Sequence, residues 1–175
     1  MEFSLDKSLQ LLERTPSVLS TWLPDLDEDF ILNNEGENTW NVKEVLAHLI
    51  VCEKTNWIVR AKIILAQNPD LNFTPIDMNA HFELAKTVSL SDLLNNFTEL
   101  RTESIEELKD FNLNDADFSK TANHPVLGTV NLQQLLSTWV SHDLSHISQI
   151  ARIMAMQNKE NIGPFITFLK FLNKN

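Results

Sequence analysis

The sequence predicts an all-α fold, a four-helix bundle with short additional helices. Three observations carry that expectation. Only 3 of 175 residues are glycine and 6 are proline, too few turn formers for a many-stranded β protein. Apolar residues recur at three- and four-residue intervals over four long stretches. Two of those stretches open on an Asn with Glu or Gln three residues later, and a third on a Ser with Asp at that position, a helix-start signature.

The first helix begins near Ser4 and carries Leu5, Leu9 and Leu12. Thr15-Pro16 suits an N-cap followed by proline at the first helical position, so this helix is expected to kink or restart there and to end before Pro24. Asp25 to Thr39 is acidic and polar, with Asn33-Asn34 and Gly36, and reads as a loop. Helix two starts at Asn41, closes a capping box with Glu44, and runs through Val45, Leu49, Trp57, Ala61 and Ile64 to about Gln67. Asn68-Pro69-Asp70 is expected to stop it. An irregular stretch to Pro75 follows, then a short helix around Met78 to Lys86.

Helix three starts at Ser89, with Asp92 as its reciprocal box residue, and shows Leu90, Leu93, Leu94, Phe97, Leu100, Ile105 and Leu108 along one stripe. Phe111 to Thr129 reads as a second loop. Helix four starts at Asn131 with Gln134 in the box position. It is apolar through Leu135, Leu136, Trp139, Val140, Leu144, Ile147, Ile150 and Met154, and is expected to be the most buried helix. Asn158 to Gly163 ends it, and Phe165 to Leu172 forms a short C-terminal helix. No repeat or linker divides the chain, so residues 1–175 are read as one domain. Helices two and four should face each other in the core.

Hydrophobic residues make up 43% of the chain, enough for a packed core. The net charge of -10 repels phosphate backbones and anionic lipid, which argues against nucleic-acid and membrane-surface partners. The single cysteine, Cys52, rules out an internal disulfide and fits a reducing cytosol. The N-terminus lacks a signal-peptide pattern and no stretch reads as a transmembrane helix, so a cytoplasmic protein is expected.

His142 and His146 are four residues apart on helix four, which puts both imidazoles on one face, one turn apart. Neutral imidazole ligates zinc, nickel, iron and copper. The third ligand should come from a facing helix, and His48, inside the apolar run from Val45 to Ile50, is the candidate. A histidine in so apolar a setting is paired, neutral or bound. Each of these histidines also has an ordinary structural reading. The His142-Asp143-Leu144-Ser145-His146 stretch has no glutamate after its first histidine, so a thermolysin-like peptidase is disfavoured.

Around the three histidines, Cys52 lies one turn after His48. It reads first as a small buried hydrophobe, and second as a fourth ligand. Glu53 and Glu44 flank His48 and are read as solvated or capping, with histidine orientation or general-base work as the alternative. Asp143 is read as a structural ion-pair or hydrogen-bond partner. His124, in the loop before helix four, is placed either at the mouth of the site or exposed. His81 is left out of the site. Trp40, Trp57 and Trp139 are read as core, and Trp57 alternatively as a pocket wall. No catalytic residue is assigned.

Three stretches resemble the DinB/YfiT-like superfamily of helical-bundle metalloproteins. They are Trp40 to Leu49, with the tryptophan, helix start and first histidine; His124 to Leu132, the loop into the last core helix; and Trp139 to Ile150, with the histidine pair. The resemblance spans roughly residues 1 to 155. It implies a divalent metal on His48, His142 and His146. It also implies company with thiol-dependent transferases and isomerases, alongside many members with no assigned reaction. The expected activity is therefore a metal-dependent transferase or hydrolase acting on a small molecule, with a low-molecular-weight thiol as candidate partner and zinc, nickel or iron as the ion. Three neutral histidines leave an ion at least one open position, whereas a structural site wants a fourth protein ligand. The alternative is a non-catalytic module in which the metal ties two helices. Such bundles also pair through helix faces, so a homodimer belongs to the expectation.

Overall fold

The computed structural model describes residues 2–68 and 71–172. Its helices run α1 (Leu5–Leu12), α2 (Thr15–Trp22), α3 (Glu28–Leu32), α4 (Val42–Thr55), α5 (Trp57–Ala66), α6 (Ala80–Thr87), α7 (Leu90–Asp110), α8 (Leu132–Met156) and α9 (Lys159–Ile162). A two-stranded antiparallel hairpin, β1 (Thr121–His124) and β2 (Gly128–Asn131), leads into α8. The bundle is formed by α1 with α2, α4 with α5, α7, and α8.

The starts of the long helices are chemically determined. The Asn41 side chain accepts from Glu44 N while Glu44 accepts from Asn41 N, both at 2.9 Å. Asn131 and Gln134 do the same for α8. Each pair satisfies two backbone N–H groups that the first helical turn leaves without partners. At α7 the Ser89 hydroxyl accepts from Asp92 N but donates to the Asp92 carboxylate. Asp92 thus closes on the cap's side chain rather than on its backbone.

Five elements differ from expectation. Helix two is not continuous: Asn56, at φ -113° and ψ -78°, ends α4 and begins α5. The loop from Asp25 to Thr39 contains α3, capped by Asp27, whose carboxylate accepts from Asp29 N. The loop from Phe111 to Thr129 contains most of the hairpin, with Gly128 at φ +74° starting β2. The C-terminal helix is instead α9 followed by two 3-10 turns. Finally, α4 is the most buried long helix, with nine buried residues of fourteen against seven of twenty-five in α8. The reason is placement. α4 is packed against α3, α5, α6, α7 and α8, while α8 keeps one face outward. The stop at Asn68-Pro69-Asp70 falls largely outside the described residues.

The apolar core lies in two clusters. One gathers Leu19, Leu46, Leu49, Ile50, Leu93, Phe97, Ile150 and Ile153. The other gathers Leu12, Cys52, Trp57, Ile64, Leu108, Leu136 and Trp139. Among the described residues, no helix is long and apolar enough to cross a membrane.

Candidate metal centre

α4 and α8 face each other, and their histidines meet. His142 Nε2 lies 3.1 Å from His48 Nε2 and 3.1 Å from His146 Nε2. These three residues form the group of potential ligands found among the described residues. A tetrahedral zinc bound at about 2.0–2.1 Å sets its nitrogen ligands about 3.3 Å apart, close to the two spacings about His142, and all three ligand atoms lie within 4.8 Å of one another. Hydrogen bonding alone accounts for it poorly. His142 Nε2 faces two ring nitrogens, and a single N–H can serve only one of them.

The electrostatics favour ligation as well. Burial, reinforced by the neighbouring His146 ring, lowers the His48 pKa to about 4. Burial and the His146 and His48 rings lower that of His142 to about 3. His146 is also pushed down by burial, against an opposing hydrogen bond from Gln149. Neutral rings keep a lone pair at Nε2. The Nδ1 of His146 lies 2.8 Å from Gln149 Oε1. Donation by Nδ1–H there frees Nε2 for an ion, the usual outer partner of a metal-bound imidazole.

Protons compete with a metal only below the folded-state pKa of each ring, and these lie below the ordinary value of about 6.5. Zinc affinity is therefore expected to stay nearly flat from about pH 8 to about pH 6. Titrations across that range check it, and a tenfold loss centred on the ordinary imidazole pKa would contradict the buried neutral state.

The surrounding residues sort differently from the sequence reading. Glu44 is the capping residue expected. Glu53 is not solvated: it is 4% exposed, and its Oε1 accepts from Arg101 Nη2 at 2.7 Å and from Trp139 Nε1 at 3.1 Å. Asp143 is the structural ion-pair partner expected. Its two oxygens accept from Arg101 Nη1 at 2.6 Å and Nη2 at 3.0 Å. Arg101 Nη1 also donates to Leu12 O. Burial pushes the Glu53 carboxyl upward and the guanidinium opposes that push. Arg101 itself is held above its usual value by the two carboxylates. The sequence carried a signal for this network: Arg101 lies four residues after Phe97 and four before Ile105, on the buried stripe of α7.

Cys52 is buried, with Sγ 3.5 Å from His48 Nε2 and 4.0 Å from His142 Nε2. His81, left out of the site, stands beside it. It is 1% exposed, its Nε2 has no hydrogen-bond partner, and its ring centroid lies 5.6 Å from that of His48. Its signal was weak, because it sits on a short helix outside the four main ones. Trp40 is a wall of the site rather than core, with its ring 4.9 Å from His48, 4.3 Å from His81 and stacked at 6.2 Å on His146. Trp57 and Trp139 are core as expected, stacked at 5.7 Å, and Trp57 also meets the edge of the His142 ring at 5.1 Å.

His124 accepts from Val126 N and Leu127 N through Nδ1, which closes the hairpin turn. It also lines a cavity of about 190 Å³ that ends on His142, with Asn56, Trp57, Arg60, Phe73 and Leu127 among the other walls. A larger cleft of about 850 Å³ near Glu2, Asp6 and Asp115 holds no histidine and no cation.

The chain is similar to proteins named for metal-dependent chemistry. Two bacterial relatives carry the name "putative metal-dependent hydrolase". The one from Bacillus mycoides is 26% identical over 156 residues, covering 88% of this chain and 87% of the relative. The one from Bacillus licheniformis is 29% identical over 153 residues, covering 85% and 84%. The fold matches that of YfiT from Bacillus subtilis, described as a probable metal-dependent hydrolase with an unusual four-helix bundle topology. That match has a TM-score of 0.72 at 22% identity and covers 91% of this chain and 90% of YfiT. The model of the DinB superfamily matches residues 11–150, most of the chain including all three histidines, and the protein therefore belongs to the DinB superfamily.

Proposed function

We propose that His48, His142 and His146 hold one divalent ion, zinc, nickel or iron, and that the chain is a metal-dependent enzyme of the hydrolase or thiol-dependent transferase kind. The observation that carries the reading is the convergence of three neutral imidazole nitrogens from two core helices, 3.1 Å apart about His142, with no carboxylate in the group. The relatives' names support the hydrolase side. When bound, such an ion supplies Lewis acidity, which makes a nucleophile of water or a thiol near neutral pH.

The protein's own groups do the rest. Gln149 orients His146, Trp40 covers the histidines on one side, and the cavity ending on His142 admits a small molecule such as a low-molecular-weight thiol. A chain of net charge -10 suits neither nucleic acid nor an anionic membrane as substrate. The reading includes a cytoplasmic location, where Cys52 stays reduced. It also includes a homodimer, to which the exposed Phe165, Phe168 and Phe171 contribute apolar area.

A second reading rests on Cys52. Its sulfur, near two of the three ring nitrogens, would close the coordination sphere and make the ion structural. Cobalt(II) loading separates the two readings. The open site should show no sulfur-to-metal charge-transfer band until dithiothreitol is added, and should then gain one. A band present before any added thiol, and lost in Cys52→Ser, would overturn the open site.

A further inference from the structure

Two arginines are buried in this acidic chain, and they are treated in opposite ways. Arg101 is 1% exposed and has two carboxylates, Glu53 and Asp143, on its guanidinium. Arg60 is 7% exposed. Among the described residues it has no ion pair and no side-chain hydrogen bond, and its Nε is buried without a partner. Its one close polar compensation is the face of Phe73, 4.8 Å from Cζ. A guanidinium nitrogen buried without a partner is costly, and such groups are ordinarily paired. With 24 Asp and Glu residues in the chain, the lack of a carboxylate at Arg60 among the described residues is a feature of the site and not a shortage of acids.

Arg60 lines the same cavity that ends on His142. The walls between them are Trp57, Phe73, Leu127, Val130 and Leu135, and the Asn56 Oδ1 acceptor, also at the cavity, is buried without a partner. This is the composition of a small-molecule site: apolar walls and a few uncommitted polar groups. We propose that Arg60 anchors the carboxylate of a small organic acid, holding it so that the rest of the molecule points toward the histidine cluster. The planar fork of a guanidinium matches a carboxylate in two parallel hydrogen bonds. Phosphate is disfavoured, because no lysine or second arginine lines the cavity. The volume of about 190 Å³ suits an acid of a few carbons. The proposal rests on the enzyme reading for what the anchored molecule meets, but not for the anchoring itself.

The test titrates the intact protein with acetate through hexanoate, the matching primary amides and inorganic phosphate, following tryptophan fluorescence, to which Trp57 in the cavity wall contributes. It is run on metal-free and metal-loaded protein, with elemental analysis of each sample. Carboxylates should bind in both forms and the amides at least tenfold more weakly. Arg60→Gln should weaken carboxylate binding at least tenfold while leaving metal content unchanged. Arg60→Lys, which keeps the charge but loses the fork, should fall between and serves if Arg60→Gln does not fold. Equal binding by wild type and both variants, binding that requires the metal and ignores Arg60, or a preference for phosphate would each overturn the proposal. Carboxylate binding lost in Arg60→Gln, in a protein that takes up no metal, would keep this anchor and sink the enzyme reading instead.

Discussion

His142→Ala is expected to reduce metal content from about one ion per chain to below about a tenth of that. The size of the effect follows from position. His142 Nε2 is the nitrogen 3.1 Å from both other ring nitrogens, so its removal takes away the ligand that joins the α4 side of the site to the α8 side. Losing a partner that only orients a ligand already costs about 10–100-fold in affinity. Losing one ligand of three should exceed that. Elemental analysis after gel filtration reads it directly. A parallel measure is thermal: metal raises the wild-type melting temperature by mass action, and that increment should vanish in the variant. The metal-free variant should fold, because the deleted ring has a buried Nδ1 with no partner, whose removal offsets part of the lost packing. A variant that keeps its full metal content would show that the ion, if any, is held elsewhere.

Arg101→Ala should destabilise the metal-free protein by about 3–5 kcal/mol, the range for breaking a buried ion pair from one side. The substitution strands two carboxylates, Glu53 and Asp143, in a region where both side chains are almost wholly inaccessible. It also removes the donor to Leu12 O. Three segments then lose their common tie: the end of α1, the last turns of α4 and the middle of α8. Urea denaturation at neutral pH checks the magnitude. Replacing the three charged groups together, as Glu53→Leu, Arg101→Met and Asp143→Leu, should recover most of the loss, because no charge is then left without a counterion. A loss below about 1 kcal/mol for Arg101→Ala would mean that the network contributes little, as exposed pairs do.

Asn41 with Glu44, and Asn131 with Gln134, were legible because a capping box is local: four consecutive positions contain the whole interaction. His142 and His146 were legible because helical spacing alone puts them on one face. His48 was legible because a polar ring in an apolar run needs an explanation. Glu53 was not, since its partners lie 48 and 86 residues away and its own neighbours in sequence are polar enough to suggest solvent. His81 was missed for a related reason: nothing in a short helix with a mixed face says that it packs under Trp40. The break at Asn56 left no proline or glycine behind, so the apolar periodicity ran through it. The hairpin was hidden by its polar strands, whose residues face solvent as much as core.

The β1–β2 hairpin gives the protein a division of labour. Its turn hangs outside the bundle, with Val126 at 84% and Leu127 at 73% exposure, yet Leu127, Val130 and His124 line the same chamber as His142. Loops at such positions tolerate insertion and exchange with little penalty to the scaffold. The contour that greets an incoming molecule can thus be redrawn over evolutionary time by editing a few turn residues, while the imidazole cluster stays anchored in helices that such edits never reach.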